Sequence, residues 1–213
     1  MFTSGFLSGQ VFVSPLQMKQ SFVHLIVDRS ESMLSAREKV IELVNKFQAI
    51  KYDLSISFFG SKVHVGLPVP FKERKPFEAV DYIPEGATAL YSAVYTTLLL
   101  AKRQKGKHLV IILCDGPENA SLECSGYLLK DFIERLDDSW TIVYVGANQD
   151  AWEEAAKIGI RNGNTSIYRH TPKGLDNATR ILIKNMEEFM DAPVSSTAYF
   201  FSSADIDSLK HTT

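Results

Sequence analysis

The segment Asp28-Arg29-Ser30-Glu31-Ser32 follows directly after a largely apolar run at 22–27. One carboxylate and two hydroxyls therefore stand at alternate positions, where a buried strand ends and a helix is predicted to begin. Oxygen ligands of this kind suit a hard divalent cation such as Mg²⁺. Open α/β sheets bind ligands beyond the carboxyl ends of their strands, so this segment is a candidate metal-binding loop.

Two further segments carry oxygen-bearing side chains at comparable points. Gly86-Ala87-Thr88 precedes a helix predicted from Ala89 onward, so we expect Thr88 near the N-cap, at the positive end of the helix dipole. Asp115-Gly116 follows the apolar run 109–114, and we expect Gly116 to permit a sharp exit from that strand. The predicted metal ligands are Asp28, Ser30, Ser32, Thr88 and Asp115.

The charge of this ligand set fits Mg²⁺ or Mn²⁺. The carboxylates of Asp28 and Asp115 balance the charge of a divalent ion, whereas the three hydroxyls add none. The ion then stays electrophilic toward a further carboxylate. We therefore expect a protein partner to supply an Asp or Glu side chain to the metal.

The hydrophobic pattern predicts the elements that position these loops. Apolar runs predict strands near 22–28, 54–59, 109–114, 140–145 and 166–168, with a returning edge strand at 63–65. Helical spacing predicts helices at 34–50, with Leu34 on the inward face, and at 89–102, 127–136, 151–158 and 175–190. This alternation is typical of a three-layer, doubly wound α/β fold whose central sheet is mainly parallel, with one antiparallel edge strand.

The 213 residues are enough for one large domain with small extensions. We place the domain at 21–191, an N-terminal extension with a possible edge strand at 10–13 in residues 1–20, and a C-terminal tail at 192–213. The tail carries Tyr199-Phe200-Phe201, and it either packs on the domain or binds a partner.

Composition argues against several classes of function. The net charge is −2 and no basic block is present, which argues against nucleic-acid binding. No apolar stretch is long enough to span a bilayer and no secretory signal is recognisable, so we expect a cytoplasmic protein without a membrane partner. The histidines lack ligand spacing to one another, which argues against zinc; His24 and His108 are interpreted as core or strand-end histidines.

On its three motifs, Asp28-x-Ser30-x-Ser32, Gly86-Ala87-Thr88 and Cys114-Asp115-Gly116, the chain resembles the von Willebrand factor A (VWA) domain family over roughly residues 20–190. The segment 146–150 also resembles stand-alone VWA proteins of bacteria and their phages. The resemblance implies a Rossmann-like VWA fold and a metal-ion-dependent adhesion site (MIDAS) formed by the five predicted ligands. It also implies assembly with other proteins, among which an AAA+ ATPase is one candidate.

Three functions are compatible with these motifs. The first is a non-enzymatic domain that binds a partner's acidic side chain through the metal. The second is a metal-assisted hydrolase or phosphatase that uses Asp28 or a nearby serine, although none of the common nucleophile or phosphate-binding motifs is present. The third is a scaffold whose metal site is structural or vestigial. We favour the first.

Overall fold

The computed structural model describes residues 20–147, 150–192 and 199–211. Within these ranges the chain forms a six-stranded sheet with helices on both faces. The strands are β1 (Ser21–Asp28), β2 (Asp53–Phe59), β3 (Val63–His64), β4 (Lys107–Cys114), β5 (Trp140–Gly146) and β6 (Thr165–Ile167). The helices are α1 (Arg37–Gln48), α2 (Leu90–Ala101), α3 (Gly126–Glu134), α4 (Ala151–Lys157), α5 (Pro172–Asp191) and α6 (Ser203–His211).

The strand order is β3-β2-β1-β4-β5-β6. Every neighbouring pair is parallel except β2 and β3, which pair in antiparallel fashion at the edge. The predicted doubly wound sheet with one antiparallel edge strand is therefore confirmed. Its order places β1 and β4 side by side at the centre, where the two most apolar strands are covered on both faces.

The core has two layers because successive side chains of a strand point to opposite faces of the sheet. On one face, Val23, Leu25 and Val27 of β1 pack with α1, α5 and α6. On the other face, Ile26 of β1 and Ile112 of β4 pack with α2, α3 and α4. The buried apolar residues of α2 are Leu90, Ala93, Val94, Leu98 and Ala101.

The predicted helix at 34–50 is wrong at its start. Residues Glu31–Ala36 form a 3₁₀ helix, and α1 begins only at Arg37. Leu34, predicted to face inward, is 61% exposed because the tighter 3₁₀ turn rotates it away from the sheet. The first loop therefore reaches α1 through a separate short turn.

The described part of the C-terminal tail packs on the domain. Phe200 and Phe201 are buried in the core layer that contains α5, and Leu209 of α6 joins them. The sequence pattern did not predict α6. The possible edge strand at 10–13 lies outside the described residues. Among the described helices, none is long and apolar enough to cross a membrane.

Candidate functional site

The three predicted loops lie at the topological switch point of the sheet, where the strand order reverses between β1 and β4. From β1 the chain continues to β2 on one side, whereas from β4 it continues to β5 on the other. Asp28 aligns with the last residue of β2, and Val27 aligns with Leu113 near the end of β4. The loops after β1 and β4 thus leave the same edge in opposite directions, and such a switch point is where α/β sheets bind ligands.

Asp28 is held from three directions at the end of β1. Its Oδ1 accepts a hydrogen bond from the backbone N–H of Ser30 at 2.7 Å, which closes the first loop into a tight turn. Its Oδ2 accepts from the Sγ of Cys114 at 3.1 Å. The hydroxyl of Tyr82 donates to the backbone carbonyl of Asp28 at 2.6 Å. The carboxylate is therefore fixed in one orientation.

A chain of oxygen atoms links the first loop to the third. The Oγ atoms of Ser30 and Ser32 lie 2.9 Å apart, and Ser32 Oγ donates to Oδ1 of Asp115 at 2.6 Å. The fold thus brings four of the five predicted ligands, Asp28 included, into one hydrogen-bonded cluster. Ser32 is the exposed member, whereas Asp28 and Ser30 are buried.

Thr88 lies beside the turn after β4. A Cβ on Gly116 would lie 3.9 Å from Thr88 Oγ1, so the hydroxyl of Thr88 faces that turn. Thr88 lies near the N-cap of α2, as expected, but the cap position itself is occupied by Ala89, because α2 begins at Leu90. Thr88 therefore stands one residue before the cap, and its hydroxyl makes none of the hydrogen bonds found among the described residues.

The two motifs differ in how much each depends on its glycine. Gly116 does not require a positive φ, and a Cβ there would make only an ordinary contact. Gly86 has a φ of 75°, and a Cβ would lie 2.4 Å from Ser61 Oγ. The carbonyl of Gly86 accepts from the backbone N–H of Glu31 at 3.1 Å, which ties the second loop to the first. Gly86, not Gly116, is the glycine that the site requires.

The electrostatics of the cluster favour a cation. Burial raises the pKa of Asp28, the nearby charge of Asp115 adds to the increase, and hydrogen bonds from Ser30 and Cys114 offset part of it. Asp28 is 0% exposed, and no ion pair found in the described ranges involves it. A buried carboxylate without a cationic partner is costly, and a bound divalent ion would remove that cost.

Sequence reasoning missed three residues that contact the two acids. Cys114 stands in the third motif only as the neighbour of Asp115, without a predicted contact; it is buried, and its Sγ bonds to Asp28. Tyr82 comes from the long connection before α2, where no motif marked it. His170, from the loop after β6, places Nδ1 3.7 Å from Oδ2 of Asp115. Only a tertiary contact reveals these residues, so local spacing gave no signal.

The residues present fit Mg²⁺ or Mn²⁺. Neighbouring oxygens in an octahedral shell with bonds near ~2.05 Å lie about 2.9 Å apart, and the Oγ atoms of Ser30 and Ser32 are separated by 2.9 Å. All five donors are hard oxygens, as these ions prefer. Among the described residues, no group of three or more His, Cys, Asp or Glu side chains is placed to hold a metal. Any ion at this site would therefore depend on the hydroxyls as well as on the carboxylates.

Comparisons with known proteins place the fold. No protein-family model and no curated protein matches the chain. A von Willebrand factor type A protein from Catenulispora acidiphila superposes with a TM-score of 0.57 at 17% identity, covering 76% of this chain and 41% of that one. Manganese-loaded TRAP from Plasmodium vivax superposes with a TM-score of 0.53 at 19% identity, covering 76% and 71%.

A third structure, the ArnB paralog VWA2 from Sulfolobus acidocaldarius, gives a TM-score of 0.56 at 17% identity and covers 78% of this chain and 45% of that one. The chain thus spans less than half the length of the Catenulispora and Sulfolobus proteins. These identities establish the fold alone. The chain has the VWA fold, as its three motifs predicted.

Proposed function

We propose that this chain is a non-enzymatic protein-binding domain that holds Mg²⁺ or Mn²⁺ and binds an acidic side chain of a partner protein through the ion. Asp28, Ser30, Ser32, Thr88 and Asp115 would hold the metal. The observation that carries the proposal is the oxygen cluster in which Ser32 bonds to both Ser30 and Asp115, 83 positions away. The manganese-loaded state of the Plasmodium vivax neighbour is consistent with the choice of ion.

The bound ion would supply a Lewis-acidic site for a carboxylate. The chain's own residues would set its position. Asp28 is immobilised by Ser30, Cys114 and Tyr82, whereas the exposed Ser32 stands at the solvent side of the cluster. Because only two of the five donors are charged, the ion would keep part of its affinity for a third carboxylate.

The same contacts argue against the hydrolase alternative. A serine nucleophile needs an adjacent base. In the part of the chain that the structure describes, neither the hydroxyl of Ser30 nor that of Ser32 bonds to a histidine or lysine, and the base that Ser32 does contact, the Asp115 carboxylate, would be occupied in holding the metal. An AAA+ ATPase stays the candidate partner that the resemblance suggests. A cytoplasmic location also belongs to the proposal, and the two free cysteines are compatible with a reducing compartment.

Metal-dependent unfolding tests the proposal. The melting temperature is measured with Mg²⁺, Mn²⁺, Ca²⁺ or EDTA for the wild type and for Asp28→Ala, Ser32→Ala and Glu123→Gln. An ion at 100 times its dissociation constant stabilises the folded state by about 2.7 kcal/mol. We expect stabilisation of the wild type by Mg²⁺ and Mn²⁺, none for Asp28→Ala, and a smaller shift for Ser32→Ala, which loses a neutral ligand.

Glu123 is the matched control because it is an exposed acid near the third loop that makes no hydrogen bond or ion pair among the described residues. Its substitution should leave the metal-dependent shift unchanged. If no ion stabilises the wild type, the metal site is not formed. If a partner is found and still binds in excess EDTA, the metal-bridged mechanism is wrong and the scaffold alternative replaces it.

A further inference from the structure

Helix α2 begins without a cap of its own. Ala89 stands at the N-cap position and offers no side-chain acceptor. The N–H groups of the first turn of a helix need partners from elsewhere. In α2 they find them on the segment after β4, residues 117–121, which we call the third-loop clamp.

Glu118 is the centre of this clamp. Its Oε2 accepts from the backbone N–H of Tyr91 at 2.8 Å and from Ser121 Oγ at 2.7 Å. Its Oε1 accepts from the backbone N–H groups of Ala120 at 2.8 Å and of Ser121 at 2.6 Å. One carboxylate thus folds its own loop and caps the neighbouring helix, where the helix dipole favours negative charge.

The other residues of the clamp extend it in both directions along α2. Ser121 Oγ accepts from the backbone N–H of Ser92 at 3.0 Å. Asn119 Oδ1 accepts from the backbone N–H of Thr88 at 2.8 Å, and the N–H of Asn119 donates back to the carbonyl of Thr88 at 3.1 Å. Asn119 therefore holds both the backbone N–H and the backbone carbonyl of Thr88.

We infer that the third-loop clamp is a positioning device that holds Thr88 and Asp115, from two separate loops, at a fixed separation. The inference rests on the proposed function for its purpose, because these are the second-loop and third-loop metal ligands. Asn119 lies only four positions after Asp115, so its paired bonds to Thr88 hold the two loops together directly. Glu118 in turn holds the clamp against α2.

The clamp matters because Thr88 would be a neutral metal ligand whose hydroxyl has no hydrogen bond among the described residues. Its position therefore depends on the clamp's bonds to its backbone. A weak ligand contributes only if it is held in place before the ion arrives. Residues that orient ligands typically change metal affinity by about 10–100-fold when substituted. Glu118 and Asn119 belong to this class, since neither is proposed to touch the ion.

Hydrogen exchange in EDTA tests the clamp independently of metal. The variants are Glu118→Gln, which keeps the shape but loses the charge and some of the four acceptor contacts, and Asn119→Ala, which loses the acceptor for Thr88. We expect the Tyr91 amide to exchange at least ~10-fold faster in Glu118→Gln, and the Thr88 amide to do so in Asn119→Ala. Glu123→Gln should match the wild type. Unchanged exchange in both variants would overturn the inference.

Calorimetric titration with Mg²⁺ and Mn²⁺ tests the positioning role. We expect about 10–100-fold weaker binding for Glu118→Gln and Asn119→Ala, with partial rescue in Asn119→Asp, which keeps the Oδ1 acceptor. A clamp that only stabilises the fold would lower the melting temperature in EDTA and leave both dissociation constants unchanged, and that result would refute positioning. A wild type that binds neither ion would instead refute the proposed function, while the exchange data would still decide whether the clamp exists.

Discussion

Acid should destabilise this protein through a pair of buried histidines on the central strands β1 and β4, away from the metal loops at the carboxyl ends of those strands. His24 of β1 and His108 of β4 are each 1% exposed. Their rings lie between Phe22 and Trp140, and the Trp140 ring is stacked 3.9 Å from that of His108. The interpretation of both as core histidines is correct, and their hydrogen bonds determine which protons they carry.

The hydrogen-bond chain runs in one direction. The carbonyl of Gln104 can only accept, so Nε2 of His108, 3.2 Å away, carries a proton. Nδ1 of neutral His108 then accepts from Nε2–H of His24 at 3.1 Å. Nδ1 of His24 accepts in turn from the hydroxyl of Ser55 at 2.8 Å. With both rings neutral, all four ring nitrogens are hydrogen-bonded, whereas a doubly protonated pair would bring two N–H groups together.

The magnitude follows from the shifted pKa. Burial lowers the pKa of His24 from 6.5 to about 3, with a smaller contribution from the charge of His108, whose own pKa burial also lowers. Below pH 6.5, the pKa of histidine in the unfolded chain, the unfolded chain binds a proton at His24 and the folded chain does not. The free energy of unfolding therefore falls as the pH falls. Between pH 6.5 and pH 5 the free energy of unfolding falls by about 1.36 kcal/mol for each pH unit. Over about 1.5 units His24 alone therefore costs ~2 kcal/mol.

Urea unfolding in EDTA measures this loss. The free energy of unfolding is compared at pH 7.5 and pH 5 for the wild type and for His24→Gln, whose amide can still donate to His108 but does not titrate. With a slope near ~2 kcal/mol/M, the wild-type midpoint should fall by about 1 M more than that of the variant. The raised pKa of Asp28 acts in the opposite direction, but it is common to both proteins and cancels. If the free energy of unfolding depends equally on pH in the two proteins, His24 does not have a lowered pKa in the folded state and the assignment is wrong.

Three further substitutions, with one control, test contacts that hold the fold and the second loop. Arg74→Lys should cost about 1–3 kcal/mol in urea unfolding, because the guanidinium donates to three backbone carbonyls at and after the end of α1 and to that of Val69. Lys107→Met should cost a similar amount, since the buried ammonium bonds to the carbonyls of Phe189 and Ala192 at the end of α5. Gly86→Ala should cost about 1–2 kcal/mol and weaken metal binding, because its φ is 75°; Gly116→Ala, tested beside it by thermal unfolding, should be nearly neutral.

The parallel sheet was predictable because its central strands are nearly all apolar. All eight residues of β4 are buried, so its hydrophobic run has no competing interpretation as an amphipathic helix. The polar residues directly after β1 and β4 then had to lie at the carboxyl edge, whatever the details of packing. The start of α1 was not predictable in the same way, since Leu34 fits a helical period that the 3₁₀ turn interrupts.

Helix α6 was missed for a related reason. It has nine residues and one buried side chain, Leu209, so its sequence carries little amphipathic signal. Its position depends on contacts with distant parts of the chain, among them the bonds from Asn177 to Ser208 and from Arg169 to the carbonyl of Lys210. A short helix fixed by such contacts has no local pattern that would distinguish it from a polar tail.

The same distinction explains what the sequence reveals of the site. Spacing within a loop predicted Asp28, Ser30 and Ser32 because alternate residues at a strand end share one environment. It placed Thr88 near a helix cap because threonine is a common capping residue, whereas here Glu118 and Ser121 accept from the first N–H groups of α2 from another loop. Because Glu118 and Ser121 bind the first N–H groups of α2, the hydroxyl of Thr88 is not needed as their acceptor. If Thr88 holds a metal as proposed, this cap from another loop is what would leave its hydroxyl available, and local spacing could not have predicted it.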